Sequence, residues 1–275
     1  EAPISFFNQK LDKQVLKYFK MKSKKRANLS PWKKITKIVL NTKKSVNIAI
    51  IGKYVNLKDA YKSLDEALIH GGISNKVKVN LIRIESDDLK SNEIKNRLKN
   101  ISGLLIPGGF GKRGTEGKIS AIKFARENKI PFLGICFGMQ MAIIEFARNK
   151  LKIKKAGSSE LDKKCYPVVG LINEWDKNGK IIKGTDKDLG GTMRLGLFEA
   201  KLKNNSAINR IYNAGLIKER HRHRYEVNNN LKDQFERKGL IFSGMSPDYK
   251  LPEIIELENH PWFIGVQFHP EFKSR

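Results

Sequence analysis

The chain has 275 residues, with 54 Lys and Arg against 28 Asp and Glu, a net charge of +26 and two cysteines. Two cysteines exclude a disulfide framework, and no apolar run approaches the roughly 20 residues of a membrane-spanning helix. The charge raises the prospect of nucleic acid or anionic surfaces, but the lysines are scattered among Asn and Ile through many elements, as a biased composition would scatter them, so no dedicated nucleic-acid surface is expected.

Residues 1–44 hold 13 Lys and Arg and two acids, show no strand–helix alternation, and read as the tail of a preceding domain plus a basic linker. From residue 45 to 275 the chain reads as one α/β domain. Val46–Gly52 is a buried-type strand, Ala60–His70 has helical spacing and Val77–Ile82 alternates as a second strand. Leu89–Asn100 is a helix candidate, followed by a strand over Gly103–Ile106 and a helix over Lys118–Asn128. Ile130–Ile135 is a short apolar strand leading into a helix over Met139–Arg148. Such alternation predicts a doubly wound, mostly parallel sheet flanked by helices, with ligands at the carboxyl ends of its strands. Residues 167–239 are richer in charge and turns and are expected to add antiparallel strands and loops, and Trp262–Phe268 reads as a further strand.

Three segments carry chemistry. Cys136 lies in Gly134-Ile135-Cys136-Phe137-Gly138, between strand and helix, where glycines on both sides permit a nucleophile elbow and the helix N-terminus favours a thiolate. His269 and Glu271, in His269-Pro270-Glu271, lie on one face of an extended segment, where the carboxylate can hold the imidazole tautomer as a base. Pro107-Gly108-Gly109 turns at a strand end and exposes N–H groups suited to an oxyanion. Each has a plainer alternative: a packing cysteine, a capping histidine, a flexible or phosphate-binding loop. No Gly-Lys-Ser/Thr follows to make the loop a P-loop. Cys165 has no elbow around it, and with His221 and His223 it lacks the number and spacing of a zinc site, so no metal is expected.

These residues resemble the class I, triad-type glutamine amidotransferases. Within that family the amidotransferase domain of CTP synthases is matched by Ala27-Asn28-Leu29-Ser30-Pro31-Trp32, Gly52–Ser63, Gly109–Lys118, Gly191-Thr192-Met193-Arg194-Leu195-Gly196 and Glu219–Asn228. The resemblance implies a flavodoxin-like fold, glutamine hydrolysis by Cys136, His269 and Glu271, and a glutamine pocket of Gly109, Phe137, Gly138, Met139, Gln140, Glu160 and Arg224. Glu160 would take the substrate's ammonium group. Arg194 would serve the effector GTP, its plainer alternative being a solvated arginine. The resemblance further implies a synthetase domain in cis that binds ATP, Mg2+ and UTP and uses the ammonia to make CTP in pyrimidine nucleotide biosynthesis, a homotetramer when complete, and a cytoplasmic location. No cofactor is expected in the domain itself. The chain is thus expected to be a fragment at both ends, with a synthetase half before it and a further helix after Arg275. A glutaminase serving another synthase and a non-catalytic basic module remain as alternatives.

Overall fold

A computed structural model describes residues 1–23, 25, 27–55, 57–89, 93–171, 176–177, 180–181 and 193–274. The chain divides into two compact units, residues 1–46 with 68–80, and residues 47–67 with 81–275.

The first unit begins with three helices, α1 (Ala2–Asn8), α2 (Leu11–Tyr18) and α3 (Ser30–Asn41). Prolines in the first turns of α1 and α3 suit positions where no backbone N–H is needed. None of the three helices has a buried residue. The high charge of residues 1–44 had masked their helical spacing.

The chain then runs through β1 (Ser45–Gly52), α4 (Lys62–Ser74), β2 (Lys78–Glu85), α5 (Ile94–Arg97), β3 (Gly103–Ile106), α6 (Thr115–Glu127), β4 (Phe132–Ile135) and α7 (Phe137–Asn149). The expected alternation is present. The helix expected over Leu89–Asn100 shrinks to the single turn of α5. Leu89, Ile94 and Leu98 are buried. Residues 90–92 of that stretch lie outside the described residues, as do Asn56, Gly191 and Thr192.

Beyond α7 come β5 (Ala156–Ser158), β6 (Tyr166–Leu171), β7 (Asp176–Lys177), β8 (Lys180–Ile181), β9 (Arg194–Leu202), α8 (Ala207–Tyr212), β10 (Leu216–His223), β11 (Tyr225–Val227), α9 (Lys232–Glu236), β12 (Leu240–Met245), β13 (Pro252–Leu257) and β14 (Phe263–Val266). Most of the region from 172 to 192, where further strands and loops were expected, lies outside the described residues.

The main sheet has the order β10-β9-β12-β13-β14-β4-β3-β1-β2. β1, β3, β4 and β14 pair in parallel, whereas β13, β12, β9 and β10 extend the sheet by antiparallel pairing. Every residue of β3 and β14 is buried, as expected of parallel strands covered on both faces. α7 buries Phe137 through Ala147 without interruption, so the helix that starts at the cysteine also anchors the core. β11, β6 and β5 form a second small sheet, and β7 pairs with β8.

Candidate active site

β4 and β14 end level with one another. Val266 is the partner of Ile135, and the Cys136 N–H donates to the Val266 carbonyl at 2.6 Å. Cys136 and the segment bearing His269 therefore leave neighbouring parallel strands at the same, carboxyl, end of the sheet.

Cys136 has φ 51° and ψ −103°, a conformation that an L-residue adopts only under constraint. The constraint comes from the flanking glycines. A Cβ at Gly134 would lie 2.7 Å from the Gly138 carbonyl carbon, and one at Gly138 would lie 2.2 Å from the Ile106 carbonyl oxygen. Strands and helix can approach this closely only because both positions lack a side chain.

His269 is held from two sides. Its backbone N–H donates to the Arg220 carbonyl at 2.8 Å, and its Nδ1 lies 2.8 Å from Glu271 Oε1. The carboxylate can only accept, so Nδ1 carries the proton and Nε2 is left as an acceptor. The ring stacks on Phe272, with centroids 5.4 Å apart. A Cβ at Gly108 would come 2.7 Å from His269 Cε1, so the turn must be bare where the imidazole passes over it.

Gly108, Gly109, Cys136, Arg222, His269 and Glu271 line one cleft of about 310 Å³. Cys136 and the distant His269–Glu271 pair thus share a cavity with the Gly-Gly turn. Arg222 was missed in the sequence, where it is one of several arginines in Glu219–Arg224. Its signal was the two-residue alternation of β10, which buries His221 and His223 and turns Arg220 and Arg222 outward.

The thiol departs from expectation. Burial pushes Cys136 up to about 12; the Phe137 N–H offsets part of this, while the charges of Glu271, Glu226 and Glu160 add to it. Desolvation of a residue only 2% exposed outweighs the helix N-terminus. The sulfur therefore keeps its proton in the free protein, and a base has to remove it as attack proceeds.

The remaining expected pocket residues divide. Glu160 is half-buried; its Oε1 accepts from the Gly111 N–H at 2.8 Å, burial raises its carboxyl and the Lys53 charge pulls it back. Lys53 Nζ in turn donates to the carbonyls of Phe110 and Gly111, so the glycine loop is gripped by a cation and an anion. Arg224 is half-buried at the bend between β10 and β11. The side chains of Phe137, Met139 and Gln140 are not in the cleft, because α7 turns them into the core, and Gly138 packs on Ile106.

Arg194 is not a solvated arginine. Its guanidinium lies 2.9 Å from Glu226 and 2.7 Å from Glu253 and rests 4.6 Å from the Phe198 ring centroid. Beside it His221 Nδ1 and His223 Nε2 are 3.0 Å apart. Burial, reinforced by the Arg194 charge, lowers the two imidazoles to about 2 and about 3. Cys165 packs on Gly157, where a Cβ would meet its own at 2.8 Å. Among the described residues no group of three or more His, Cys, Asp or Glu is placed to hold a metal ion, and no helix is long and apolar enough to cross a membrane.

Comparison with known proteins gives a concordant result. A family model described as glutamine amidotransferase class-I matches residues 56–275. The chain is 78% identical over 275 residues to the CTP synthase of Pelagibacter ubique and 52% identical over 278 residues to that of Zymomonas mobilis. Both alignments cover 100% of this chain and 51% of the relative, so the chain spans about half the length of the curated relatives it matches. Among solved structures, the glutaminase domain of Trypanosoma brucei CTPS with bound acivicin is similar at a TM-score of 0.73 and 33% identity, covering 82% of this chain and 86% of that one.

Proposed function

The chain belongs to the class-I glutamine amidotransferase family, and on that premise we propose that it hydrolyses L-glutamine to glutamate and ammonia through Cys136, His269 and Glu271. The observation that carries this reading is the His269–Glu271 pair at 2.8 Å lining one cleft with the strained elbow cysteine.

His269 Nε2 takes the thiol proton as the sulfur attacks the side-chain carboxamide carbon, and Glu271 stabilises the imidazolium that forms. The negative oxygen of the tetrahedral intermediate meets the N–H groups of Gly109 and Phe137. His269 then returns its proton to the departing nitrogen, and ammonia leaves a γ-glutamyl thioester. Water, deprotonated by the same histidine, attacks the thioester; the C–S bond breaks and glutamate is released with the thiol restored. Glu160 and Arg224 would hold the substrate's α-ammonium and α-carboxylate, and Arg222 offers a second cation in the cleft.

The name shared by the curated relatives supports a second step. The ammonia would serve ATP-dependent amination of UTP to CTP, with ATP and Mg2+ held by a synthetase domain of the same polypeptide and GTP as effector. In the full-length protein, Cys136→Ala is expected to abolish glutamine hydrolysis and glutamine-dependent CTP formation while leaving ammonia-dependent CTP formation intact. Equal loss of both would overturn the division of labour. Absence of any CTP from UTP, ATP and ammonia in the unaltered protein would point to another acceptor.

A further inference from the structure

The Cys136 sulfur has a partner outside the triad. Gln267, fully buried and two residues before His269, places its Nε2 3.7 Å from Cys136 Sγ, a distance long for an oxygen acceptor but ordinary for the larger sulfur atom. A side-chain amide could present either end to the sulfur. Here the choice is made at the far end of a short chain of hydrogen bonds.

The Tyr225 carbonyl can only accept. It receives Gln140 Nε2 at 2.9 Å and His223 Nδ1 at 3.2 Å. With its NH2 end committed there, Gln140 gives its second hydrogen to Gln267 Oε1 at 3.3 Å. The oxygen of Gln267 is thereby engaged, and its NH2 end is left to face the sulfur. Backbone bonds hold both residues: the Gln267 N–H donates to the Glu253 carbonyl at 2.8 Å and the Gln140 N–H to the Cys136 carbonyl at 3.2 Å. Polarity thus passes from one carbonyl through two buried amides to the nucleophile.

The surroundings give this donor a task. The charges that reach Cys136, those of Glu271, Glu226 and Glu160, all oppose a thiolate, and so does burial. Against them stand the Phe137 N–H and the Gln267 amide. An N–H on the buried side of the sulfur also leaves the S–H free to point into the cleft that His269 lines.

Resting on the reading of Cys136 as the nucleophile, we propose that Gln267 donates a hydrogen bond that stabilises the Cys136 thiolate as its proton leaves, and that Gln140 is a positioning residue keeping the donor end of Gln267 on the sulfur.

The test uses the full-length protein and two substitutions that keep size while removing the amide, Gln267→Met and Gln140→Met. Each is followed by thermal melting, by the rate of inactivation with iodoacetamide between pH 6.5 and 9.5 without substrate, and by kcat and KM for glutamine hydrolysis. A hydrogen bond to a charged group predicts that alkylation of Gln267→Met at pH 8 slows about tenfold, its rate–pH curve moving up by about one unit, with a smaller shift in the same direction for Gln140→Met. kcat should fall while KM changes little. A variant that melts like the unaltered protein and alkylates at the same rate across the pH range overturns the proposal and leaves Cys136 chemistry standing. Glutamine hydrolysis that survives Cys136→Ala overturns instead the reading on which it rests. Should Gln267→Met not fold, the shift in Gln140→Met decides alone.

Discussion

The guanidinium of Arg194 stands 2.7 Å from the carboxylate of Glu253, and the carboxylate has no exposure to solvent. The second carboxylate on the same guanidinium, Glu226, is equally buried. Removing the cation strands two buried acids, which costs far more than the pair contributes over an apolar core. Arg194→Met is expected to destabilise the protein by about 3–5 kcal/mol in denaturant unfolding. Adding Glu253→Gln to that variant should recover part of the loss.

The two histidines beside Arg194 set an acid limit. Both start from an ordinary value of 6.5 and fall to about 2 and about 3 in the folded protein. Below pH 6.5 the unfolded chain therefore binds protons that the folded chain refuses, and folding stability drops as the solution is acidified. Each histidine contributes a slope of up to about 1.4 kcal/mol per pH unit. Glu226, raised to about 8 by burial and the Glu253 charge, gives the opposite slope over the same range, so the histidine share is read by difference: between pH 4 and 7 the unfolding midpoint of His223→Gln should fall less on acidification than that of the parent.

Glycine is required at one of two candidate site positions and not at the other. At Gly138 an added Cβ would sit 2.2 Å from a backbone oxygen that cannot move without moving β3, whereas at Gly109 nothing lies within 4 Å. Gly138→Ala is expected to lose about 1–3 kcal/mol, the cost of forcing atoms into a packed interior. Gly109→Ala should stay within about 0.5 kcal/mol of the parent. Paired thermal melts separate the two.

Glu271 accepts the Nδ1 proton of His269. Glu271→Gln keeps the shape but offers an amide that can face the ring with its NH2 group, favouring the wrong tautomer. By analogy with other triads, kcat for glutamate release should fall between about a hundredfold and ten-thousandfold. KM should move by no more than a few-fold, because the carboxylate acts through the base.

Much of this was legible in the sequence. Short apolar runs marked the parallel strands because strands covered on both faces need no polar alternation, and the glycines around Cys136 announced an elbow. Cys136, His269 and Glu271, singled out by spacing and residue type, do line one cleft. What could not be read depended on which way side chains turn. Gln140 sits four residues beyond Cys136 and looks like a pocket residue, yet α7 points it inward. Arg194 could be read as an effector residue or as a solvated arginine, but not as a buried ion-paired one, because its acids lie at positions 226 and 253, on strands that only the fold brings beside it. The thiol's state was misjudged for a related reason: a helix N-terminus is visible in sequence, but the depth of burial that outweighs it is not.

The level ends of β4 and β14 have a consequence in time. The thiol lies at residue 136 and its base at residue 269, and the strand that delivers the base, though central in the sheet, comes last in the chain among the described strands. A chain still being synthesised has its cysteine long before it owns a histidine to go with it, or the Val266 carbonyl that holds the Cys136 N–H. Because N-terminal parts fold first, a nascent or truncated protein lacking β14 would carry a mute sulfur. Hydrolytic competence would switch on in a single late event, the docking of four residues between β13 and β4, so unfinished copies would leave glutamine untouched.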